Sequence, residues 1–241
     1  MNISRIAVEP KEVIKIKKKQ SIKQYIYHSL REAILTRQLP PGKQLVENTI
    51  SENLKVSRTP IRSAMDLLAD EGLVDIVPNK GAFVVNPTED EVLQAYVLRK
   101  DLEIMAAGLA MERLTEADFL EMSNSVAEER EALFNKDLST YLKANQSFHM
   151  IFVRKCGNKF LIEFIEKLIN QTSIYLMLFD IFFEDSSPKP YGYKEHLEII
   201  ALFKQQNLNE LEMCLTKHFD HAVGSLDVRN EYKELGSIFG G

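Results

Sequence analysis

The sequence predicts a mostly α protein in two parts: a small unit of three helices closed by a β-hairpin, then a larger all-α antiparallel helical bundle. Three observations predict it. Up to residue 72 apolar residues recur at helical spacing in short bursts, and two β-branched stretches then flank a Pro-Asn-Lys-Gly turn. From Thr88 onward helical periodicity runs almost without a break. The charge changes sign at the same place. Residues 1–86 carry 14 Lys+Arg against 9 Asp+Glu and the remainder 16 against 26, so a net charge of -5 hides a +5 unit joined to a -10 unit.

Residues 1–20 read as a basic N-terminal arm, with Lys15, Lys17, Lys18 and Lys19 clustered in it; it is a solvated tail or an arm that touches phosphate. The first helix runs from Ser21 to about Arg37 on Ile22, Ile26, Leu30, Ile34 and Leu35, and Pro40-Pro41-Gly42 ends it. A short helix, Val46 to Leu54, turns Ile50 and Leu54 inward. Lys55-Val56 makes a turn, and Ser57 is a favourable N-cap for the next helix. Pro60 falls within the first turn, where its missing N–H costs nothing. Ile61, Met65, Leu67 and Leu68 give this third helix its apolar face, and Glu71-Gly72 stops it. Leu73–Val77 and Ala82–Val85 are strands joined through Pro78–Gly81. Three helices and a hairpin over residues 21–86 make a winged helix-turn-helix, with Asn86-Pro87 as the boundary.

Residues 87–229 form the bundle. Thr88 with Glu91 is a capping box, and Val92, Ala95, Tyr96, Leu98, Leu102, Met105, Ala106 and Leu109 are expected to face inward. A second helix starts near Thr115 and fades by Phe134, and a third spans Leu138–Lys155 before Gly157. A fourth spans Asn158 to about Asp180, long enough to suit a bundle. Its stripe is Phe160, Leu161, Phe164, Ile165, Leu168 and Ile169. Glu184–Pro190 reads as a loop. Helices over 191–205 and 208–229 follow, the last capped by Asn207 with Glu210, and 230–241 is a loose tail.

Composition bounds the function. Hydrophobic residues at 45% and charged residues at 27% are ordinary for a globular protein. No apolar run reaches membrane-spanning length and no signal peptide opens the chain, so no membrane partner is expected. Cys156 and Cys214 are too few for a disulfide framework; both read as core residues in a reducing, cytoplasmic setting.

The third helix carries the sharpest signal. Arg58 and Arg62 lie one turn apart on one face, beside a helix N-terminus with free N–H groups and a positive dipole end. In a helix-turn-helix this end enters the major groove. Ser57, Arg58, Thr59 and Arg62 are therefore the candidate base and phosphate contacts, arginine being suited to guanine O6 and N7. Asn48, near the start of the preceding helix, is placed for phosphate or adenine. Lys80 and Gly81 at the hairpin tip are placed for the minor groove or the backbone. The plainer alternative is that Arg58 and Arg62 only pair with Asp66 or Glu52.

The bundle holds four histidines. His149, His196 and His218 fall on three different helices, and bundles build metal sites from inward side chains of facing helices. Asn145 precedes His149 by one turn. On the residues alone, packed or solvated histidines remain the commoner reading. Arg99 with Glu103, one turn apart, reads equally as a surface ion pair.

Leu39-Pro40-Pro41-Gly42-Lys43-Gln44-Leu45, Val56-Ser57-Arg58-Thr59-Pro60-Ile61-Arg62, Leu67-Leu68, Glu71-Gly72-Leu73 and Lys80-Gly81-Ala82-Phe83-Val84 resemble the signature of GntR-type regulators. The bundle resembles the FCD ligand domain of the FadR subgroup, and the likeness covers about residues 21–229. It implies a homodimer that binds double-stranded operator DNA and senses a small molecule. The family's DNA contacts map onto Ser57, Arg58, Thr59, Arg62 and Gly81; Asn48 departs, since some members carry arginine there. The resemblance also implies a divalent metal, zinc with nickel as the alternative, on His149, His196 and His218. Asn145 is a weaker, uncharged fourth ligand, and His221 falls outside the pattern. By the same resemblance Arg99 faces the pocket, where it clamps the carboxylate of an organic-acid effector, with Arg154 and Tyr193 as lesser pocket candidates.

Three functions are in play. The first is a ligand-responsive transcription regulator, a repressor rather than an enzyme. The second is a metal-dependent hydrolase fused to a DNA-binding domain; it needs a general base at the open site, and no nucleophile motif or phosphate loop is present. The third is an architectural DNA-binding protein whose affinity for DNA ignores every metabolite.

Overall fold

The structure, a computed structural model, describes residues 21–35, 37–179 and 191–226. The expected basic arm at 1–20, the loop at 184–190, the end of the last helix beyond residue 226 and the tail at 230–241 lie outside the described residues. The chain divides after Asn86 into two compact units, described separately below.

In the first unit α1 (Ile22–Leu35) packs on α3 (Arg58–Asp70), with α2 (Glu47–Leu54) against α3. Ile26 and Ile34 from α1 and Ile61, Ala64, Met65 and Leu68 from α3 are fully or almost fully buried together. The apolar periodicity that defines these helices is thus the periodicity of their contact. Arg31 Nε donates to Glu71 Oε2 at 3.0 Å and the Tyr27 hydroxyl donates to Glu71 Oε1, which ties α1 to the end of α3. Strands β2 (Val74–Val77) and β3 (Gly81–Val84) form the expected antiparallel hairpin, in register from Val74↔Val84 to Val77↔Gly81.

Three details differ from the sequence reading. A two-residue strand β1 (Gln44–Leu45) pairs with the other edge of β3, giving a three-stranded sheet in the order β1-β3-β2; two residues are too few to show an alternation. Ile50 and Leu54 are only half-buried, and no residue of α2 is fully buried. Ser57 has the extended backbone of an N-cap, but its side chain makes no capping hydrogen bond.

The second unit is a helical bundle: α4 (Glu89–Ala110) with a single 3₁₀ turn after it, α5 (Glu116–Asn135), α6 (Leu138–Lys155), α7 (Lys159–Phe179), α8 (Tyr191–Gln205) and α9 (Leu208–Gly224). Reciprocal capping boxes start α4 (Thr88 with Glu91) and α5 (Thr115 with Asp118), satisfying first-turn N–H groups. Gly157 follows α6 at φ +74°, and Arg113 Nη1 closes the same corner by donating to the Cys156 carbonyl at 2.7 Å. Phe148, Phe152, Met122, Ile165, Ile169, Ile199 and Phe203 make the centre of the core, and both cysteines are buried. No described helix is long and apolar enough to cross a membrane.

The inward face of two helices needs correcting. On α4, Leu98 (50% exposed), Met105 (56%) and Leu109 lie on the outside, and on α7 so do Phe160 (70%) and Phe164 (60%). The residues that α4 turns inward, besides Val92, Tyr96 and Ala106, include the charged Arg99 and Glu103. An apolar-counting rule puts ionic residues outside; here they are inside because each has a buried ionic partner.

Candidate functional site

The first unit presents a polar face built on a dry one. Ile61, Met65 and Leu68 anchor α3 in the core, which leaves Ser57, Arg58, Thr59 and Arg62 exposed on its outer side. Asn48 on α2 and Lys80 and Gly81 at the hairpin tip are exposed too. The tip turns through Asn79 at φ +62° and Gly81 at φ +105°, the latter a conformation that favours glycine. Sequence reasoning missed one brace of this tip: Gln44 Nε2 in β1 donates to the Lys80 carbonyl at 2.8 Å. The alternative pairing that the sequence offered is replaced by another carboxylate. Arg62 Nε donates to Glu47 Oε1 at 2.9 Å and Oε2 at 3.0 Å, not to Asp66 or Glu52. The Glu47 hydrogen bond and charge hold the guanidinium above its ordinary pKa.

The second unit encloses a cavity of about 310 Å³. Arg99 of α4, Asn145 and His149 of α6, Thr172 of α7, Glu195 of α8 and His218 of α9 are among the residues that line it. His196, one turn beyond the cavity-lining Gly192, is fully buried behind. His149, His196 and His218 come together: each offers a ligand atom, and these atoms lie within 4.8 Å of one another. His149 and His196 rings are 5.1 Å apart by centroid, and His196 and His218 rings 4.7 Å. Asn145 lines the same cavity one turn before His149.

A carboxylate stands behind each ring. His149 Nδ1 meets Glu103 Oε2 at 2.6 Å, His196 Nδ1 meets Glu129 Oε2 at 2.7 Å, and His218 Nδ1 meets Glu195 Oε2 at 2.9 Å. His221 Nδ1 meets the other oxygen of Glu195 at 2.5 Å. Burial raises the pKa of Glu103, but the charges of Arg99 and His149 outweigh it and bring it down to about 2. Burial pushes His149 down to about 3 against the pull of Glu103, with Arg99 and His196 adding to the fall. His218 is lowered as well, by burial first. An ionised carboxylate only accepts, so the His149 proton sits on Nδ1 and its Nε2 lone pair points inward.

Those inward atoms lack partners. The Nε2 atoms of His149 and His196 are buried and make no hydrogen bond. This donor set fits a divalent transition metal: imidazoles whose far nitrogens are tied to carboxylates, as such ligands usually are. A cation bonds imidazole nitrogen at about 2.0–2.1 Å, so the rings would have to draw in from the 4.8 Å within which their atoms lie to hold one.

Arg99 is buried rather than a surface residue. Its Nε donates to Glu103 Oε1 at 2.6 Å and its Nη1 to Thr172 Oγ1 at 2.8 Å, while Nη2 is buried without a partner. Arg154 is exposed, and neither it nor Tyr193 lines the cavity. Sequence reasoning missed the roles of Glu129 and Glu195. Glu195 adjoins His196, but helix neighbours point about 100° apart, and it serves the histidines of the next helix instead.

Comparison with known proteins gives the family and the fold. Residues 22–84 match the bacterial regulatory proteins of the gntR family, and residues 94–221 match the FCD domain. The chain is 26% identical over 214 residues to the HTH-type transcriptional repressor RspR of Escherichia coli (strain K12), a match that covers 88% of this chain and 92% of that one. It is 25% identical over 206 residues to the HTH-type transcriptional regulator McbR of the same organism, covering 83% and 90%. Among solved structures, E. coli McbR/YncC superposes with a TM-score of 0.64 at 21% identity, over 85% of this chain and 96% of that one. The Listeria monocytogenes protein Lar superposes at 0.65 and 18%, over 88% and 99%. At these identities the structural likeness speaks for the fold.

Proposed function

From the premise that the chain belongs to the GntR family of bacterial regulators, with an FCD domain as its second part, and is a DNA-binding transcriptional regulator, we propose that it is a ligand-responsive repressor whose helical domain senses a small organic acid at a metal-containing pocket. The observation that carries this reading is the pair of buried, partnerless imidazole nitrogens beside an equally partnerless arginine Nη2. Buried polar groups are normally satisfied, so orphans on the cavity-lining Arg99 and His149, and on His196 buried behind them, favour a ligand there. His149, His196 and His218 would hold the metal, with Asn145 as a neutral fourth oxygen donor; zinc suits the imidazole set and nickel is the alternative. When bound, the metal supplies positive charge for an anionic effector. Arg99 would take the effector carboxylate on Nη2, adding a charge-assisted hydrogen bond.

In the DNA-binding unit, Ser57, Arg58, Thr59 and Arg62 would read the major groove, with Asn48 on phosphate or adenine and Lys80 and Gly81 at the wing contacting the backbone or minor groove. Support for a homodimer comes from the apolar residues that α4 and α7 leave outside. Leu98, Met105 and Leu109 recur on one face of α4, and Phe160 and Phe164 lie one turn apart on α7. A dimer would set two recognition helices on a palindrome with half-sites about 34–36 Å apart. The repressor sense follows the name of RspR. A regulator of operator DNA works where the chromosome is, in the cytoplasm.

The test has two arms. Untagged protein prepared without chelator is expected to contain zinc or nickel by elemental analysis. In a thermal-shift screen of small carboxylates, a specific acid is expected to raise Tm more with metal than without. Metal-free protein whose His149→Ala variant keeps its full response to that acid would sink the metal reading. Operator affinity indifferent to every acid that binds would sink the sensor reading.

A further inference from the structure

The face assigned to DNA contains an apparent contradiction: one of its two leading arginines is already held by a carboxylate. We propose that Glu47 is a positioning residue that sets the Arg62 guanidinium for guanine and so sharpens operator preference. The inference rests on the reading of Arg62 as a base contact.

The geometry carries it. Both contacts to Glu47 come from Arg62 Nε, at 2.9 and 3.0 Å. Nη1 and Nη2 hydrogen-bond no other group among the described residues, and the side chain is 64% exposed. The N–H groups of Nη1 and Nη2 therefore stay available to a partner, and two of them side by side match guanine O6 and N7. Glu47 is itself well placed to act as an anchor. It is the first residue of α2, where the helix dipole favours negative charge, and its side chain is only 28% exposed. Asp66, the other carboxylate whose charge Arg62 feels, makes no hydrogen bond to it. Arg58, one turn earlier on the same face, has no such carboxylate brace among the described residues. An exposed ion pair adds little to the stability of a fold, so this one is better explained by what it does to the arginine. Holding a long side chain in its binding rotamer removes an ordering cost that would otherwise be met on binding, an effect of about three- to tenfold. The carboxylate also repels phosphate, so Glu47 should weaken binding to DNA at large while favouring the right base.

Selection from a randomised double-stranded DNA library, followed by sequencing, tests this on the full chain. Wild type should enrich a motif containing guanine, and Arg62→Ala should lose that guanine. Glu47→Ala should lose preference at the same position by about three- to tenfold, while its affinity for unselected random DNA stays equal or rises. Glu47→Gln, which keeps an acceptor oxygen, should recover part of the preference. If Glu47→Ala binds the selected motif more tightly with its guanine preference intact, Glu47 is a brake and not a positioner, and the proposal is overturned. If Arg62→Ala itself keeps the wild-type motif, the reading of Arg62 falls and the proposal falls with it.

Discussion

Arg62–Glu47 and Arg99–Glu103 are the same pair of side chains in two settings. The first lies on the surface of the DNA-binding unit at 2.9 Å, with the arginine side chain 64% exposed. The second lies in the wall of the bundle cavity at 2.6 Å, with side chains 5% and 0% exposed. Water screens the first, so its energy is small and its geometry is available to a partner. The second has been stripped of water, so each member depends on the other and on further contacts: Thr172 for Arg99, His149 for Glu103. Exposure leaves an ion pair free to be used in recognition. Burial makes it part of the fold and couples it to whatever enters the cavity.

The largest expected effect breaks the buried pair. Glu103→Ala leaves a buried guanidinium unpaired and should destabilise the protein by about 3–5 kcal/mol in urea unfolding. A comparable loss for Glu47→Ala would erase the contrast. Next is metal addition. Zinc at about 100 times its Kd should stabilise the wild type by about 2.7 kcal/mol, and His149→Ala should remove that gain; an equal gain in both would place zinc elsewhere. Acid should act on the buried site too. Folded His149 stays neutral down to about pH 3, whereas unfolded histidine takes up a proton near pH 6.5. The unfolded state then binds more protons, so stability falls as pH drops from about 6.5 toward 3. Glu103, depressed to about 2, adds stability that is present above about pH 4.3 and is lost below it. Melts at pH 7 and pH 5 should differ in that direction, and His149→Gln should flatten the difference. The smallest effect is on the exposed pair: Glu47→Ala should change unfolding free energy by about 0–1 kcal/mol, with its consequence read in DNA preference instead.

The legible and illegible parts of the site divide along the same line. Arg58, Arg62 and the hairpin tip could be read because the signals are local: an arginine spacing, a proline in a first turn, a glycine in a hairpin. The three histidines could be nominated, but their carboxylates could not be assigned. Glu103 lies 46 residues from His149 and Glu129 lies 67 from His196. Nothing in local spacing pairs such residues; only the packing of α4 on α6 and of α5 on α8 does.

What the sequence determined by itself was the set of helices, the capped starts at Thr88 and Asn207, the hairpin and the chemistry carried by the recognition helix. Each of these follows from interactions within a few residues along the chain. Tertiary structure alone decided which side of α4 faces in. Leu98 and Met105 go out while Arg99 and Glu103 go in, against apolar counting. It also decided that a two-residue strand joins the sheet and that each histidine turns its Nδ1 to a carboxylate. The reason is that burying a charge is unfavourable until a partner from a distant helix arrives. Only the assembled bundle brings those partners within hydrogen-bond reach.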